Sequence, residues 1–353
     1  MRYVPRLCRG AAGYTTGTCQ RPAGSFFRMI FLTPRPHILW SFNLIAKKEG
    51  KIMERLWVFY FRAKRLLLHF IDLFIPTRIA KKNFVSWATF PRFNLSPDVT
   101  TYDKTINIAF CFNEKYIPLA LTAITSLLEN SPGCKYDIYC VTDITKPQQT
   151  KITKYISACY TNGNIIFLQP NQDYDGAHCG RWSKAIWWRC MLPKLLPDTV
   201  DKIIYTDVDV LFVRDLRDAH QLEMGTDLLG GCFDSVTYIN SGFLVMNIAQ
   251  FRHENIYPKM IQWAETHETR YPDQDMLNTV CKGRIKPMSR KFNTIVDGGY
   301  SFLKTMDRTQ HRELKRPVML HYAGRHKPWD VTIRSFFTFG LYRKYYNNVV
   351  NNY

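Results

Sequence analysis

Hydrophobic runs alternate with amphipathic segments from about residue 105 onward. Continuous apolar stretches predict four strands, at 106–112, 136–142, 165–168 and 203–205. Apolar residues at helical spacing between them predict three helices, at 116–130, 147–160 and 183–195. Strands that alternate with helices indicate an α/β fold with a mostly parallel central sheet. Ligands of such sheets bind outside the carboxyl ends of the strands.

A different pattern precedes this region. Residues 53–75 place apolar side chains at helical spacing with basic residues opposite, and Pro76 ends the pattern. A helix of this kind suits a membrane interface, which we favour, but it also suits packing on the protein's own surface. Residues 1–52 show no periodicity. We expect them to be disordered, or to precede a true start at a methionine such as Met53.

The chain ends in a segment, 331–353, that is rich in basic and aromatic residues. Tails of this composition suit a membrane interface, and the alternative is a last helix folded onto the core. We favour the membrane because both ends of the chain share this character. The predicted domains are the opening segment 1–52, a basic amphipathic extension 53–104, an α/β domain 105–330 and the tail 331–353.

Positive charge is concentrated before the α/β domain. The formal net charge is +19 in 353 residues, and up to Lys104 there are 18 Lys and Arg against 5 Asp and Glu. Thirteen of the nineteen net charges therefore belong to the N-terminal extension. A basic, aromatic-rich segment indicates an anionic partner, either lipid or nucleic acid. We expect peripheral contact with a membrane and no nucleic acid partner.

The cysteines and the hydropathy pattern bear on the cellular location. Ten cysteines occur without a CxxC pair or regular Cys/His spacing, which argues against a zinc site or a disulfide framework. We expect reduced, buried thiols. No apolar run approaches the roughly 18 residues that a spanning helix needs, and no signal-peptide pattern opens the chain. The expected location is cytoplasmic, at the inner face of a membrane.

The predicted strand at 203–205 runs into the segment Asp207-Val208-Asp209. In an extended segment the two carboxylates point the same way, where they repel each other and are costly to bury between apolar flanks. A divalent cation such as Mg²⁺ or Mn²⁺ removes that cost and can hold a diphosphate. No GxGxxG or GxxxxGK[ST] loop offers another phosphate site. The same spacing at Asp173 and Asp175 lies in a polar, turn-like stretch and predicts solvated side chains.

A second group of candidate residues follows a short apolar strand at 318–320. His321 could supply an imidazole to the same cation, and Gly324 permits a ligand to approach the backbone closely. Lys327 could neutralise a phosphate, while Pro328 and Trp329 would stiffen the loop. A single His after a strand is usually structural. The combination of His, Gly and Lys at intervals of three, followed by Pro-Trp, is more demanding.

These residues resemble glycosyltransferase family 8, the retaining transferases that include bacterial lipopolysaccharide galactosyl- and glucosyltransferases and glycogenin. The family's metal motif is similar to residues 207–209, and its His-x-x-Gly-x-x-Lys-Pro-Trp signature is matched in full by residues 321–329. Residues 240–247 resemble its Asn-[Ala/Ser]-Gly segment, and residues 272–278 resemble its Asp-Gln-Asp segment. The resemblance covers about residues 105–330. It implies a GT-A-like nucleotide-sugar-binding domain with a mostly parallel central sheet flanked by helices, plus the basic N-terminal extension.

The resemblance also implies site residues. Metal ligation of Mn²⁺ or Mg²⁺ would fall to Asp207, Asp209 and His321. Donor binding would fall to Lys327, Gly324, Asn240, Ser241, Arg189, Asn113 and Val208. Asp273 would grip a sugar hydroxyl, and Gln274 would lie on the β face of the anomeric carbon. An amide is a weak nucleophile, so we favour a front-face, oxocarbenium-like route that retains the anomeric configuration.

The implied reaction moves a hexose, glucose or galactose, from a UDP-sugar to a glycan or lipid-linked oligosaccharide acceptor in lipopolysaccharide or other surface polysaccharide synthesis. Asn113 stands where the family often has an Asp that contacts uracil, although Asn can still hydrogen-bond a base edge. The run from Gly231 to Asn240 is shorter than in some bacterial members, which implies a more open acceptor site. The alternatives are a non-catalytic or degenerate protein of this fold that binds lipid or nucleic acid, and a metal-dependent phosphohydrolase.

Overall fold

The computed structural model describes residues 99–234, 237–296, 316–324, 327–330 and 337–353. The sequence-based predictions for the opening segment and for the basic amphipathic extension up to residue 98 lie outside these residues. The described residues belong to one compact unit. They include every residue named above as a candidate for metal or donor binding or for catalysis.

Ten strands and eight α-helices can be assigned in the described residues. The strands are β1 Thr105–Cys111, β2 Lys135–Val141, β3 Gly163–Leu168, β4 Lys202–Thr206, β5 Val210–Phe212, β6 Leu229–Phe233, β7 Ile239–Asn247, β8 Ile285–Pro287, β9 Thr294–Ile295 and β10 Met319–His321. The helices are α1 Ile117–Asn130, α2 Lys146–Cys159, α3 Leu192–Leu195, α4 Arg217–His220, α5 Ile248–His253, α6 Tyr257–Thr266, α7 Pro272–Val280 and α8 Phe337–Asn352.

Seven strands form the large sheet in the order β3-β2-β1-β4-β7-β6-β8. The pairs β3–β2, β2–β1, β1–β4 and β6–β8 are parallel, whereas β7 runs antiparallel to both β4 and β6. The predicted α/β class with a mostly parallel sheet is therefore confirmed. A second sheet of three short strands has the order β5-β10-β9.

The large sheet is covered on both faces, as expected for parallel strands. Alternate residues of β1 belong to different cores: Ile106, Ile108 and Phe110 pack with α1 and α2, while Ala109 and Cys111 pack with residues of α5, α6 and α7. This alternation follows from the two-residue period of a strand. It explains why the strand reads as a continuous apolar run in the sequence.

The helix predicted at 183–195 has a different form. Residues Lys184–Met191 are a 3₁₀-helix, and only α3 continues it as an α-helix. Pro193 lacks the N–H that an α-helix would use to bond Arg189. The segment instead closes with a bond from the Leu192 N–H to the Arg189 carbonyl, three residues back. The tighter winding leaves Trp187, Trp188 and Arg189 all buried.

The C-terminal tail packs against the core through α8. Phe339, Tyr342, Tyr345 and Val349 are buried, and the ring of Tyr342 meets that of Tyr322 with centroids 5.0 Å apart. The hypothesis that this tail lies at a membrane interface is therefore wrong for these side chains, because they already face protein. The alternative, a last helix folded onto the core, is what the structure contains.

Eight of the ten cysteines lie in the described residues, and all eight are free thiols. Six of them are buried, Cys179 is half-buried and Cys159 is exposed. Burial is therefore as predicted for six of these eight thiols, and Cys159 and Cys179 depart from the prediction. Among the described residues, no helix has the length and hydropathy needed to cross a bilayer.

The docking of α8 can be tested with two neighbouring valines. Val349 is 0% exposed and Val350 is 54% exposed on the same helix. We expect Val349→Ala to lower the free energy of unfolding by about 2 kcal/mol, because two buried methyl groups are lost and a cavity is left. Val350→Ala should change it by less than about 0.5 kcal/mol. Denaturant titration checks both, and equal effects would contradict the docked helix.

Candidate active site

The segment Asp207-Val208-Asp209 lies in a bend between β4 and β5 rather than in a strand. The Asp207 N–H donates to the Gly242 carbonyl at 3.1 Å, and the Tyr322 N–H donates to the Asp209 carbonyl at 2.9 Å. Through this bend the chain leaves the large sheet and enters the small one. The expectation of two carboxylates side by side on an extended segment is therefore wrong. Their proximity comes from the bend.

The bend brings both carboxylates to His321, the last residue of β10. The Nε2 atom of His321 lies 3.3 Å from Asp209 Oδ1 and 3.7 Å from Asp207 Oδ2. One ligand atom from each of the three residues can be chosen so that all lie within 4.8 Å of one another. The antiparallel pairing of β10 with β5 produces this approach, because it sets His321 opposite Val210.

In each carboxylate one oxygen, the inner one, pairs with His321 Nε2. The other, which we call the outer oxygen, is bound by the protein. Asp207 Oδ1 binds Arg189 at 2.8 Å and the Tyr205 hydroxyl at 2.7 Å. Asp209 Oδ2 binds Lys327 Nζ at 2.7 Å. Burial alone would raise the pKa of Asp209, but its interactions with His321 and Lys327 outweigh burial and hold that pKa well below its usual value.

The inner atoms of the three side chains suit a divalent cation. Two carboxylate oxygens, Asp207 Oδ2 and Asp209 Oδ1, and the imidazole Nε2 of His321 face a common point. Hard oxygen ligands suit Mg²⁺ and Mn²⁺, and an imidazole ligand favours Mn²⁺ of the two. The residues present thus fit a cation, and the bonds to the outer oxygens hold both carboxylates with their inner oxygens towards His321.

Arg189 links the carboxylates to the neighbouring strand and helix. Its guanidinium binds Asp207, lies 3.2 Å from Asp273 Oδ2, and donates to the carbonyl and hydroxyl of Ser241 at 3.0 and 3.1 Å. It also lies over the Tyr205 ring, 4.5 Å from the centroid. Burial disfavours its charge, but Asp207 and Asp273 raise the pKa of Arg189 well above its ordinary value.

The first turn of α7 supplies Asp273 and Gln274. Burial raises the pKa of Asp273, an effect that Arg189 partly offsets. The Gln274 Oε1 accepts the Ser241 N–H at 3.0 Å, so the amide is held against β7. The Ser241 hydroxyl reaches Asp273 Oδ2 at 3.3 Å. The Asn-Ser-Gly and Asp-Gln-Asp segments, more than 30 residues apart in sequence, therefore meet directly.

Asn113 follows β1 at the same edge of the sheet. Phe110 of β1 is in register with Thr206 of β4, so Asn113 and Asp207 both lie just beyond the carboxyl ends of paired parallel strands. The Oδ1 atom of Asn113 is buried and has no hydrogen-bond partner. A buried acceptor of this kind is costly unless a ligand or water satisfies it. Asn113 is therefore available to a ligand donor group.

The Lys-Pro-Trp loop is anchored by the C-terminal helix. Lys327 Nζ donates to the Tyr322 carbonyl at 2.6 Å as well as to Asp209. Arg343 of α8 donates to the Pro328 carbonyl at 2.6 Å. The ring of Trp329 lies 5.6 Å from that of Tyr342, also on α8. Gly324 is half-buried in the loop after β10, three residues after His321 and three before Lys327 in the sequence.

Two site residues were missed by the sequence reasoning. Asn293 lies directly between His321 and Asn240 and bonds to both at 2.8 Å. Asp234 borders Asn240; desolvation raises its pKa, while Arg290, His321 and a hydrogen bond with Asn240 oppose this. Neither residue belongs to a recognisable motif. Asn293 lies 28 positions before His321, and only the fold reveals the contact.

Comparison with known proteins places these features in a family context. The sequence model of Glycosyl transferase family 8 matches residues 107–332. A putative glycosyltransferase of Haemophilus influenzae is 28% identical over 255 residues, which cover 64% of this chain and 73% of the relative. The lipopolysaccharide 1,2-glucosyltransferase of Escherichia coli K12 is 24% identical over 258 residues, covering 64% and 73%.

A similar fold occurs in the solved structure of galactosyltransferase LgtC in complex with donor and acceptor sugar analogs. The TM-score is 0.61 at 21% sequence identity, and the match covers 69% of this chain and 96% of that chain. The predicted GT-A-like architecture is confirmed by this likeness.

Substitution of Gly242 tests whether cation binding requires the present arrangement of Asp207, Asp209 and His321. A Cβ atom there would overlap with the His321 ring and crowd Asn240 Oδ1. We expect Gly242→Ala to displace His321 and to weaken Mn²⁺ binding by about 10-fold or more, as measured by calorimetry. Gly176→Ala is the matched control, because a Cβ at Gly176 meets nothing within 4 Å. Unchanged Mn²⁺ affinity in Gly242→Ala would argue against this cation site.

Proposed function

Because this chain belongs to glycosyltransferase family 8 and is therefore a glycosyltransferase, we propose that it transfers glucose or galactose from a UDP-sugar to a glycan acceptor with retention of anomeric configuration. The observation that carries this proposal is the convergence of Asp207, Asp209 and His321 beside Arg189 and Ser241. It joins a cation site to a set of hydrogen-bonding groups suited to a sugar.

The diphosphate of the donor would lie against the inner atoms of the three cation ligands and Lys327. A bound Mn²⁺ or Mg²⁺ would supply positive charge that stabilises the diphosphate as it leaves. Lys327 contributes a second charge from the protein. Its Nζ pairs with Asp209 at 2.7 Å, and the residue is half-buried, so its ammonium group could also contact a phosphate oxygen of a bound donor.

The donor sugar would lie over Asn240, Ser241 and Asp273. Asp273 accepts hydrogen bonds, so it suits sugar hydroxyls, and Arg189 fixes its orientation. Gln274 is held by the Ser241 N–H at 3.0 Å, which supports a role in positioning rather than as a nucleophile. We therefore favour the front-face route. The acceptor oxygen bonds to the anomeric carbon as the bond to phosphate breaks, and the acceptor proton passes to a phosphate oxygen of the leaving group.

The nucleobase would lie near Asn113. Its unpartnered, buried Oδ1 can accept a hydrogen bond from a ligand N–H group. Uracil carries such a group at its ring N3, so a uridine nucleotide fits this acceptor. This supports a UDP-sugar, although the residue is an amide rather than the family's carboxylate.

The acceptor is proposed from the relatives. The relatives include a lipopolysaccharide 1,2-glucosyltransferase of Escherichia coli K12 and a lipopolysaccharide 1,3-galactosyltransferase of Salmonella typhimurium. A lipopolysaccharide or other surface glycan on a lipid carrier is the corresponding acceptor class here. The basic extension at 53–104 would then hold the enzyme at the inner face of the membrane through anionic lipid.

No observation favours a phosphohydrolase. Within the described residues, the only group of three or more His, Cys, Asp or Glu side chains that could hold a metal is Asp207, Asp209 and His321. Asp273 is engaged by Arg189 and Ser241. A two-metal hydrolytic centre would need further acidic ligands.

Donor turnover tests the proposed function. With Mn²⁺ and a panel of UDP-, GDP- and ADP-sugars, we expect nucleotide diphosphate release from UDP-glucose or UDP-galactose. Asp209→Asn should lower the rate by about 100-fold or more, since a charged ligand beside the leaving group is lost. EDTA should abolish it.

Asp175→Asn is the matched control for Asp209→Asn, because Asp175 belongs to another Asp-x-Asp segment and pairs on the surface with Lys184. Its rate should match that of the unaltered protein. No release and no metal-dependent binding with any donor would count against catalysis and favour a non-catalytic role. Orthophosphate release without sugar transfer would indicate a hydrolase.

The stereochemical course is a separate prediction. Transfer from an α-linked UDP-hexose should give an α-glycosidic product, because attack and departure occur on one face of the sugar. Proton NMR of the purified product measures this through the coupling constant of the anomeric proton. A β-linked product would rule out the front-face route.

A further inference from the structure

Asn293 joins the cation ligands to the sugar-binding segment through two buried hydrogen bonds. Its Oδ1 lies 2.8 Å from His321 Nδ1, and its Nδ2 donates to Asn240 Oδ1 at 2.8 Å. We propose that Asn293 is a positioning residue that orients both side chains and couples the cation site to the donor-sugar site. This inference rests on the function proposed above for His321 and Asn240.

The orientation of the three side chains is set by a backbone donor. The Gly242 N–H lies 3.0 Å from Asn240 Oδ1, and an N–H can bond only to an oxygen acceptor, so the oxygen of this amide faces Gly242. The same Oδ1 faces Asn293, which must therefore present its Nδ2. The Oδ1 of Asn293 is left for His321.

This arrangement fixes the tautomer of His321. Because the Asn293 Oδ1 can only accept, the proton of a neutral imidazole must reside on Nδ1. The lone pair is then on Nε2, the atom that faces Asp207 Oδ2 and Asp209 Oδ1. A histidine that ligates a metal through one nitrogen needs this kind of partner at the other.

Packing holds Asn293 between β7 and β10. The ring of Phe292 stacks on that of Phe243 in β7, with centroids 5.5 Å apart and an interplanar angle of 16°. Thr294 starts β9 and is in register with Leu320 of β10. Asn293 is 4% exposed and His321 is 2% exposed, so water competes little for either bond. A shift of β10 relative to β7 would disturb both bonds together.

The consequence for binding is that one amide preorganises both sites. Asn293 already holds His321 and Asn240 before any ligand binds, and the amide Nδ2 of Asn240 is left to face Asp234 and the proposed sugar site. A displacement of one of these side chains is therefore passed to the other, which links the affinities for the two ligands.

Two substitutions distinguish the hydrogen bond from Asn293 to His321 from the bond from Asn293 to Asn240. Asn293→Leu removes both bonds, and we expect Mn²⁺ affinity to fall by about 10- to 100-fold, the range seen for lost partners of metal ligands. Asn293→Asp keeps the oxygen for His321 but sets an oxygen against Asn240 Oδ1. Mn²⁺ affinity should then stay at or above that of the unaltered protein, while UDP-sugar affinity at saturating Mn²⁺ falls by about 10-fold.

The measurements are calorimetric titration of the full chain with MnCl₂, then with UDP-glucose and UDP-galactose, and ¹⁵N NMR of the His321 ring. The ring of the unaltered protein and of Asn293→Asp should show the Nδ1–H form, and that of Asn293→Leu should lose the preference. Asn162→Leu is the structural control. Asn162 donates to the Leu128 and Ser131 carbonyls, so its loss should affect stability and leave Mn²⁺ affinity unchanged.

The outcomes separate this inference from the proposed function. Normal donor turnover, with Mn²⁺ and donor affinities unchanged in Asn293→Leu, would overturn the role of Asn293 alone. Absence of both turnover and Mn²⁺ binding in the unaltered protein would overturn the two together. If Asn293→Leu does not fold, Asn293→Asp decides. Equal losses of Mn²⁺ and UDP-sugar affinity in that variant would contradict the assignment of one bond to each ligand.

Discussion

The site depends on the crowding of three carboxylates, Asp207, Asp209 and Asp273, into one partly buried volume. Neighbouring like charges raise the cost of ionising a carboxyl group, and burial adds to that cost. Two positively charged side chains offset part of this cost: Arg189 binds both Asp207 and Asp273, and Lys327 binds Asp209. Both bind outer oxygens. The inner pair of oxygens is left facing the His321 imidazole, so the remaining negative charge is directed at one point.

The fold explains how residues so distant in sequence reach that point. β4 delivers Asp207 at the centre of the large sheet, and the bend carries the chain to β5, whose pairing with β10 sets His321 beside it. The antiparallel strand β7 lies next to β4 and brings Ser241 against Arg189. A strictly parallel sheet would have placed the start of β7, with its Asn-Ser-Gly segment, at the opposite edge.

The elements that could be predicted from the sequence are those with a strong local pattern of apolar residues. The strand at 106–112 was predictable because burial on both faces makes it a continuous apolar run, and the helices at 116–130 and 147–160 because each has apolar residues at helical spacing. The observed bounds agree within a few residues. The short strand predicted at 318–320 corresponds to β10, whereas β6 to β9 were not identified as strands; β8 and β9 have only three and two residues and exist through pairing. Asn293 escaped notice for the same reason. Its role depends on contacts made across two sheets, and no local pattern marks them.

The aromatic tail shows where composition misled and what the correct placement implies for the site. A basic-aromatic segment has the same residues whether it meets lipid or protein, so composition alone could not distinguish the two. In the structure, Tyr342 packs on Tyr322 and Trp329, and Arg343 binds the Pro328 carbonyl. The helix thus supports the loop that carries Lys327. Lys327 in turn neutralises Asp209, so the charge balance of the site depends on a helix that contributes no ligand to it.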